Sequence, residues 1–278
     1  MTGPLPDFRE HGRDTKFVPL TRADIGSPVI GIERYVAFLE HWLDRPLAGL
    51  RILDIGCGRG ELVGALRHRG ARAFGLEIEP RFVKSGEVLE TLYNDSHPIL
   101  SLADGTGRSS FPDAFFDVVI SNQVIEHVAE LDRMMAEVAR VLVAGGRTCH
   151  LFPARHRIVE PHFHMPLVHW LPKTSVRHVA VRVMLALGFA RPYYAGRPAR
   201  ERAEIICRYS LEQTYYRSIG SIETCMVRNG LDPRRAEGMQ CYLASRFGDG
   251  VYSRRVAGAL FSTFRAVMLC AVKQGPSR

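Results

Sequence analysis

The sequence has no uncharged apolar run of the ~20 residues needed to cross a bilayer. The nearest approach is 256–272, which Arg265 interrupts. The N-terminal stretch carries Pro4, Asp7, Glu10 and Arg13 and no apolar core, so no signal peptide is expected. None of the six cysteines (Cys57, Cys149, Cys207, Cys225, Cys241, Cys270) forms a CxxC pair, which argues against a zinc knuckle or a dithiol redox centre. Several sit in apolar runs, where a reduced thiol behaves as a small hydrophobe, and a cytoplasmic location is expected. Internal repeats and compact basic blocks are also missing. The net charge of +8, from 37 basic and 29 acidic residues, is spread along the chain. It suits an anionic partner or an acidic membrane surface, but its spread along the chain fits a merely basic enzyme better.

The 278 residues, 46% of them hydrophobic, suffice for one enlarged domain or a core with an inserted cap. Ile32, Tyr35, Val36, Leu39, Trp42 and Leu43 recur on one helical face, and Pro46 ends that helix. Strands and helices then alternate. Strands are expected over 50–55, 71–78, 99–103, 116–121 and 147–152. Helices are expected over 60–69, from Pro80 at an N1 position to about residue 93, and over 131–143 with Gly145-Gly146 as the stop. This rhythm predicts a parallel sheet covered on both faces, with ligands at the rim formed by the strands' C-terminal ends. Residues 154–205, rich in His, Arg and Pro, break the rhythm and read as an insertion. Further helices over 211–229 and 251–264 and a strand over 266–272 complete the expectation.

The most informative segment is 53–62, an apolar strand running into Asp54, Gly56, Gly58 and Gly60. Three glycines in five residues let a ligand approach the backbone, because no Cβ stands in the way. The spacing is not the GxGxxG of dinucleotide enzymes. Glu77 ends the second strand, where a carboxylate can accept both hydroxyl hydrogens of a ribose. Asp104-Gly105 follows the third strand, where it can read an adenine edge or simply form a turn.

The segment 53–62 resembles the first motif of class I S-adenosylmethionine-dependent methyltransferases, in the group that methylates small molecules and quinones; Glu77 resembles their ribose-binding acid, 103–105 with Phe111-Pro112 and the run 116–127 their middle motifs, and 142–146 the lead into their fifth strand. The resemblance covers about residues 50–152. It implies an α/β fold: a Rossmann-like sheet of about seven mostly parallel strands, helices on both faces, and a helical cap insertion. It divides the chain into an N-terminal arm and helix (1–48), a cofactor-binding core (49–153), a substrate-recognition cap (154–210) and a C-terminal completion of the sheet (211–278). S-adenosylmethionine is the implied cofactor. Its expected contacts are Asp54 beside the methionine part, Gly56, Cys57, Gly58 and Gly60 in the turn, and Glu77 with Ile78 at the ribose. Asp104 with Gly105, and Asn122 with Gln123 on the rim, complete them.

The implied reaction is in-line displacement of the methyl group by an O, N, S or C nucleophile, with positioning as much of the catalysis. Where the acceptor must lose a proton, His127, His162 and His164 are the candidate bases. His127 also reads as a residue that caps or packs the start of the next helix. The run 160–170 holds His162, His164 and His169 where a lid over the acceptor is expected, and its spacing matches no familiar zinc site, so no metal is expected. Arg177, His178 and Arg182 flank an apolar row of Val176, Val179, Ala180, Val183, Met184 and Leu187. That row packs on the core or touches acidic lipid at the inner membrane face. Tyr193-Tyr194 and Tyr215-Tyr216 can stack on an acceptor ring or pack.

The expected acceptor is a small molecule or a lipid-linked saccharide. A nucleic-acid acceptor is the alternative, but Ser121-Asn122-Gln123-Val124 stands where base-amino methylating enzymes carry an Asn/Asp-Pro-Pro-aromatic motif. A catalytically silent S-adenosylmethionine-binding protein and a nicotinamide-dependent oxidoreductase are the remaining readings.

Overall fold

The computed structural model describes residues 19–26, 28–190, 196–247 and 254–275. Tyr193, Tyr194, the polar arm before residue 19 and the start of the helix expected over 251–264 lie outside them.

Seven strands form one sheet: β1 (Arg51–Ile55), β2 (Arg72–Glu77), β3 (Leu100–Leu102), β4 (Phe116–Asn122), β5 (Leu142–Pro153), β6 (Leu231–Pro233) and β7 (Ala266–Lys273). Their order is β3-β2-β1-β4-β5-β7-β6. Every neighbouring pair from β3 to β5 is parallel, and β7 runs antiparallel to both β5 and β6. This is the mostly parallel seven-stranded α/β sheet that the resemblance implies, with the parallel core that the alternating pattern predicts. Central strands read as unbroken apolar runs because both faces are covered.

On one face pack α1 (Arg22–Gly26), α2 (Ile30–Leu43) and α3 (Glu61–His68). They share a core with residues of α5 and α10, in the order α4 (Pro80–Ser85), α5 (Glu87–Leu92), α6 (Leu131–Val141), α7 (Ser175–Ala186), α8 (Ala199–Glu212), α9 (Ile219–Arg228), α10 (Arg235–Phe247) and α11 (Arg254–Phe264). Helices α6 and α9 cover the other face, around Leu53, Phe74, Phe116 and Val119. A third apolar cluster, from Phe163 and Met165 to Ile206 and Tyr209, holds α7 and α8 together and lies within the expected insertion.

Several boundaries differ from the sequence expectation. The helix expected from Pro80 to about residue 93 is two, joined at Gly86, where a Cβ would lie 2.1 Å from Leu100 Cδ1 and 2.9 Å from the Arg59 carbonyl. Gly145-Gly146 does not end a helix. Helix α6 stops at Val141, and the chain pairs with β4 from Leu142 onward. Register shifts between Phe116 and Val118, so the diglycine sits in a bulged stretch of β5, with Gly145 at φ 73°. Of the helix expected over 211–229, only α9 forms, starting at Ile219, and the Ser218 hydroxyl caps it by accepting the Ser221 amide; α8, ending at Glu212, lies mostly in the stretch read as an insertion. Helices α1 and α10 and the short strand β6 were not anticipated.

Candidate active site

Strand β1 lies between β2 and β4, and the chain winds outward from this point in both directions. Such a switch point opens a crevice at the strands' C-terminal ends. The glycine turn leaves β1 here, anchored by the Gly56 amide donating to the Leu76 carbonyl at 2.7 Å. Gly56, Gly58 and Gly60 all take positive φ, at 71°, 55° and 83°. A Cβ on Gly56 would lie 2.4 Å from Val124 Cγ2, so the turn packs on the segment leaving β4. A Cβ on Gly58 would meet nothing within 4 Å, so the backbone is open there.

Glu77, buried at the end of β2, reaches across to that turn. Its Oε2 accepts the Gly58 amide at 2.9 Å, and its Oε1 accepts the amides of Ile78 and Glu79 at 2.7 and 3.2 Å. Three of a carboxylate's roughly four acceptor directions are therefore taken, leaving room for one further hydroxyl rather than the two expected. Asp54 is buried beside it. Burial, and then the Glu77 charge, push its carboxyl up to about 8. Burial likewise raises the Cys57 thiol well above its ordinary value. Ile78 stands 64% exposed, an apolar side chain directly after the carboxylate.

Asp104 and Gly105 form a tight turn after β3. Asp104 Oδ1 accepts the Thr106 hydroxyl (2.6 Å) and the amides of Thr106 (2.8 Å) and Arg108 (2.9 Å), and the Asp104 amide donates to the Arg108 carbonyl. The turn role open from sequence is thus occupied, and these bonds hold the carboxyl below its ordinary range. A Cβ on Gly105 would meet open space. Asn122 ends β4 exposed to solvent. Gln123 follows at φ 58°, its amide donating to the Leu151 carbonyl.

One short turn beyond Val124, the structure joins His127 to His162. Their Nε2 atoms lie 3.2 Å apart. His127 Nδ1 meets the Gln213 carbonyl at 2.7 Å, and His162 Nδ1 meets Glu160 Oε1 at 2.5 Å. Glu160 also accepts the amides of His162 and Phe163 and the hydroxyl of Tyr216. Burial raises the Glu160 carboxyl, but these bonds outweigh it and the net shift is downward. Burial, with Glu160 beside it, raises the Tyr216 hydroxyl. Tyr216 is therefore bound to a carboxylate rather than presented simply as a stacking ring. His164 is not part of this group: its side chain is exposed, at φ 55°. His169 is buried beside the Tyr216 ring, and burial lowers it to about 4.

Sequence reasoning passed over Glu126. It is 1% exposed, both carboxylate oxygens lack a hydrogen-bond partner among the described residues, and burial raises it to about 8. Glu160 and the Gln213 carbonyl were missed as well. The available signal was a carboxylate set close to an imidazole twice, in Glu126-His127 and in Glu160-Pro161-His162.

Residues 53–149 match the family described as "Methyltransferase domain". The mouse mitochondrial ubiquinone biosynthesis O-methyltransferase is 30% identical over 139 residues, which are 47% of this chain and 36% of that protein. Its Brucella ovis namesake is 32% identical over 108 residues, covering 37% and 40%. The matched stretch is thus well under half of these relatives' own length. The core is a class I S-adenosylmethionine-dependent methyltransferase domain. S-adenosylmethionine is the cofactor of such a domain. The fold of the methyltransferase domain is shared with an S-adenosylmethionine-dependent methyltransferase from Mesorhizobium loti, at TM-score 0.50 and 14% identity over 86% of this chain and 97% of that one. It is also shared with Haemonchus contortus phosphoethanolamine N-methyltransferase 2, at TM-score 0.51 and 15% identity over 94% and 55%.

Proposed function

We propose that the protein transfers a methyl group from S-adenosylmethionine to a hydroxyl-bearing small molecule. The observation that carries this reading is the juncture of the open backbone at Gly58 with the buried Glu77 carboxylate, inside a methyltransferase domain. The residues present fit the cofactor. Glu77 Oε2 has an acceptor direction left for one ribose hydroxyl, exposed Ile78 offers an apolar surface to a ring, and no side chain crowds Gly58. Bound there, the cofactor supplies an activated methyl carbon. The chain's own work is to fix that carbon and the acceptor in line and to manage the acceptor's proton. Asp54, beneath the turn, orders the loop, and Asn122 and Gln123 border the rim. The His127–His162 pair, one turn from Val124, is the group proposed to handle the hydroxyl proton.

The hydroxyl acceptor is favoured by the ubiquinone biosynthesis O-methyltransferases among the relatives. The test is a tritium-transfer assay with methyl-labelled cofactor against a panel of phenols, lipid extracts and total RNA. Label in a phenolic or lipid product, with calorimetric binding of S-adenosylhomocysteine, is the expected result. No binding of S-adenosylhomocysteine, or label only in RNA, would overturn it.

The cap supports a lipophilic acceptor. Val176, Val179, Val183 and Leu187 form one row of α7 and its end, and all four are at least half exposed. These four do not pack on the core, whereas Ala180 and Met184, expected in the same row, are half-buried, Met184 against the cluster that joins α7 to α8. Arg177, expected beside it as a surface charge, points inward instead, its guanidinium donating to the carbonyls of Leu171, His169 and Ser210 and to the Ser210 hydroxyl. The apolar row with His178 and Arg182 suits the surface of an acidic membrane from which such an acceptor is taken. Among the described residues no helix is long and apolar enough to cross a membrane.

A further inference from the structure

We propose that Glu126, His127 and His162 bind a divalent transition-metal ion at the acceptor side of the rim. One donor atom from each lies within 4.8 Å of the other two. The hydrogen bonds assign the donors. The Gln213 carbonyl can only accept, so His127 places its proton on Nδ1. Glu160, an ionised carboxylate with three other donors aimed at it, does the same to His162. With Nδ1 so engaged, each ring turns its Nε2 toward the other at 3.2 Å, close enough to share a proton or to bind one metal ion together.

The spacing matches a metal. Two imidazole nitrogens bound to one tetrahedral zinc ion lie about 3.3 Å apart. The third donor is the buried, unpartnered Glu126 carboxylate, whose Oε1 is 3.9 Å from His127 Nε2. Such a carboxylate needs a cation nearby, a proton of its own, or a pKa far from the ordinary range. Both histidines are oriented through Nδ1 by a backbone carbonyl or a carboxylate, the arrangement that ordinarily fixes metal-ligating imidazoles. Two histidines and one glutamate are a three-ligand donor set of the kind found in catalytic zinc sites, in which water or substrate supplies the fourth ligand.

The ion's chemical role rests on the proposed function, although ion binding does not. With both Nε2 atoms on the ion, the pair would act through it rather than as a base: a hydroxyl acceptor coordinated there would lose its proton to solvent more readily, and its oxygen would become the nucleophile. His127 is three residues past Val124, which touches the glycine turn, so that oxygen would lie beside the cofactor.

The test is titration of chelator-stripped protein with Co(II), read by visible absorption and by calorimetry. The same samples are titrated with S-adenosylhomocysteine. Wild type is expected to bind one equivalent and develop the d–d bands of a low-coordinate ion. His127→Ala, His162→Ala and Glu126→Gln should each weaken binding by at least tenfold, and exposed His41→Ala should leave it unchanged. Absence of stoichiometric binding by wild type, with the imidazole pair sharing a proton instead, overturns the proposal. So does binding that survives in both histidine variants. Wild-type protein needs no variant to fold, so the first outcome decides by itself. Cobalt binding without S-adenosylhomocysteine binding would sink the proposed function alone, and the reverse would sink the metal site alone.

Discussion

Glu77 Oε2 and the Gly58 amide are joined at 2.9 Å, tying the end of β2 to the middle of the turn that follows β1. The carboxylate thus shapes the loop as well as facing the ligand. Glu77→Ala should weaken S-adenosylhomocysteine binding by at least tenfold in calorimetry. Glu77→Gln keeps an acceptor for Gly58 but turns its NH2 toward the Ile78 and Glu79 amides, so it should lower the melting temperature less than Glu77→Ala while losing most of the affinity. A glutamine variant that binds normally would mean that Glu77 serves the loop alone.

Gly56 and Val124 set a steric limit on the same turn. At φ 71° an alanine costs about 1 kcal/mol in conformation, and its Cβ would also meet Val124 Cγ2 at 2.4 Å. Gly56→Ala should destabilise the protein by about 2–3 kcal/mol in urea denaturation. Adding Val124→Ala should recover the steric part and leave the conformational part. Equal stability of the single and double variants would rule out the clash.

His150 gives a pH dependence of definite sign. Its ring is buried in β5 between the Ser121 and Thr148 hydroxyls, and burial lowers its pKa to about 3. Below the unfolded value of about 6.5, the unfolded chain takes a proton that the folded chain refuses. Stability from this group is therefore complete above pH 6.5 and falls with pH, by about 2 kcal/mol at pH 5. Asp54 and Glu126, with raised carboxyls, act in the opposite direction, because the folded chain then holds the extra protons. The difference between wild type and His150→Gln isolates the histidine. Urea denaturation at pH 7.5 and 5.0 should show wild type losing about 2 kcal/mol more than the variant, and parallel losses would refute the assignment.

The core was legible because its signals are local. The glycines of 56–60 need positive φ, Glu77 ends an apolar strand, and the central strands are continuous apolar runs. Gly145-Gly146 misled because a bulge and a helix stop both call for glycine, and only the pairing of Phe116 with Leu142 decides between them. The imidazole pair was hidden for another reason. His127 and His162 are far apart in sequence, and the Gln213 carbonyl that orients one of them has no side-chain signature. The apolar row of α7 was visible, but its direction was not. Burial of Arg177 turns the helix so that the valines face solvent, and that follows from carbonyls at Leu171 and Ser210.

That orientation makes the row a direct test of membrane contact. Val179 is 60% exposed, so Val179→Glu removes no core packing and should leave the melting temperature within about 1 °C of wild type. Burying an apolar side chain in an interface is worth about 1.5–3 kcal/mol, and a glutamate adds repulsion from anionic headgroups. Val179→Glu with Val183→Glu should therefore abolish co-flotation with vesicles containing phosphatidylglycerol, while methyl transfer to a water-soluble acceptor continues. Replacing Arg182 by glutamine should weaken flotation less and make the remainder less salt-sensitive, because it removes only the electrostatic share. Wild-type protein that stays with the dense fraction would refute membrane contact, as would a double variant that floats as well as wild type.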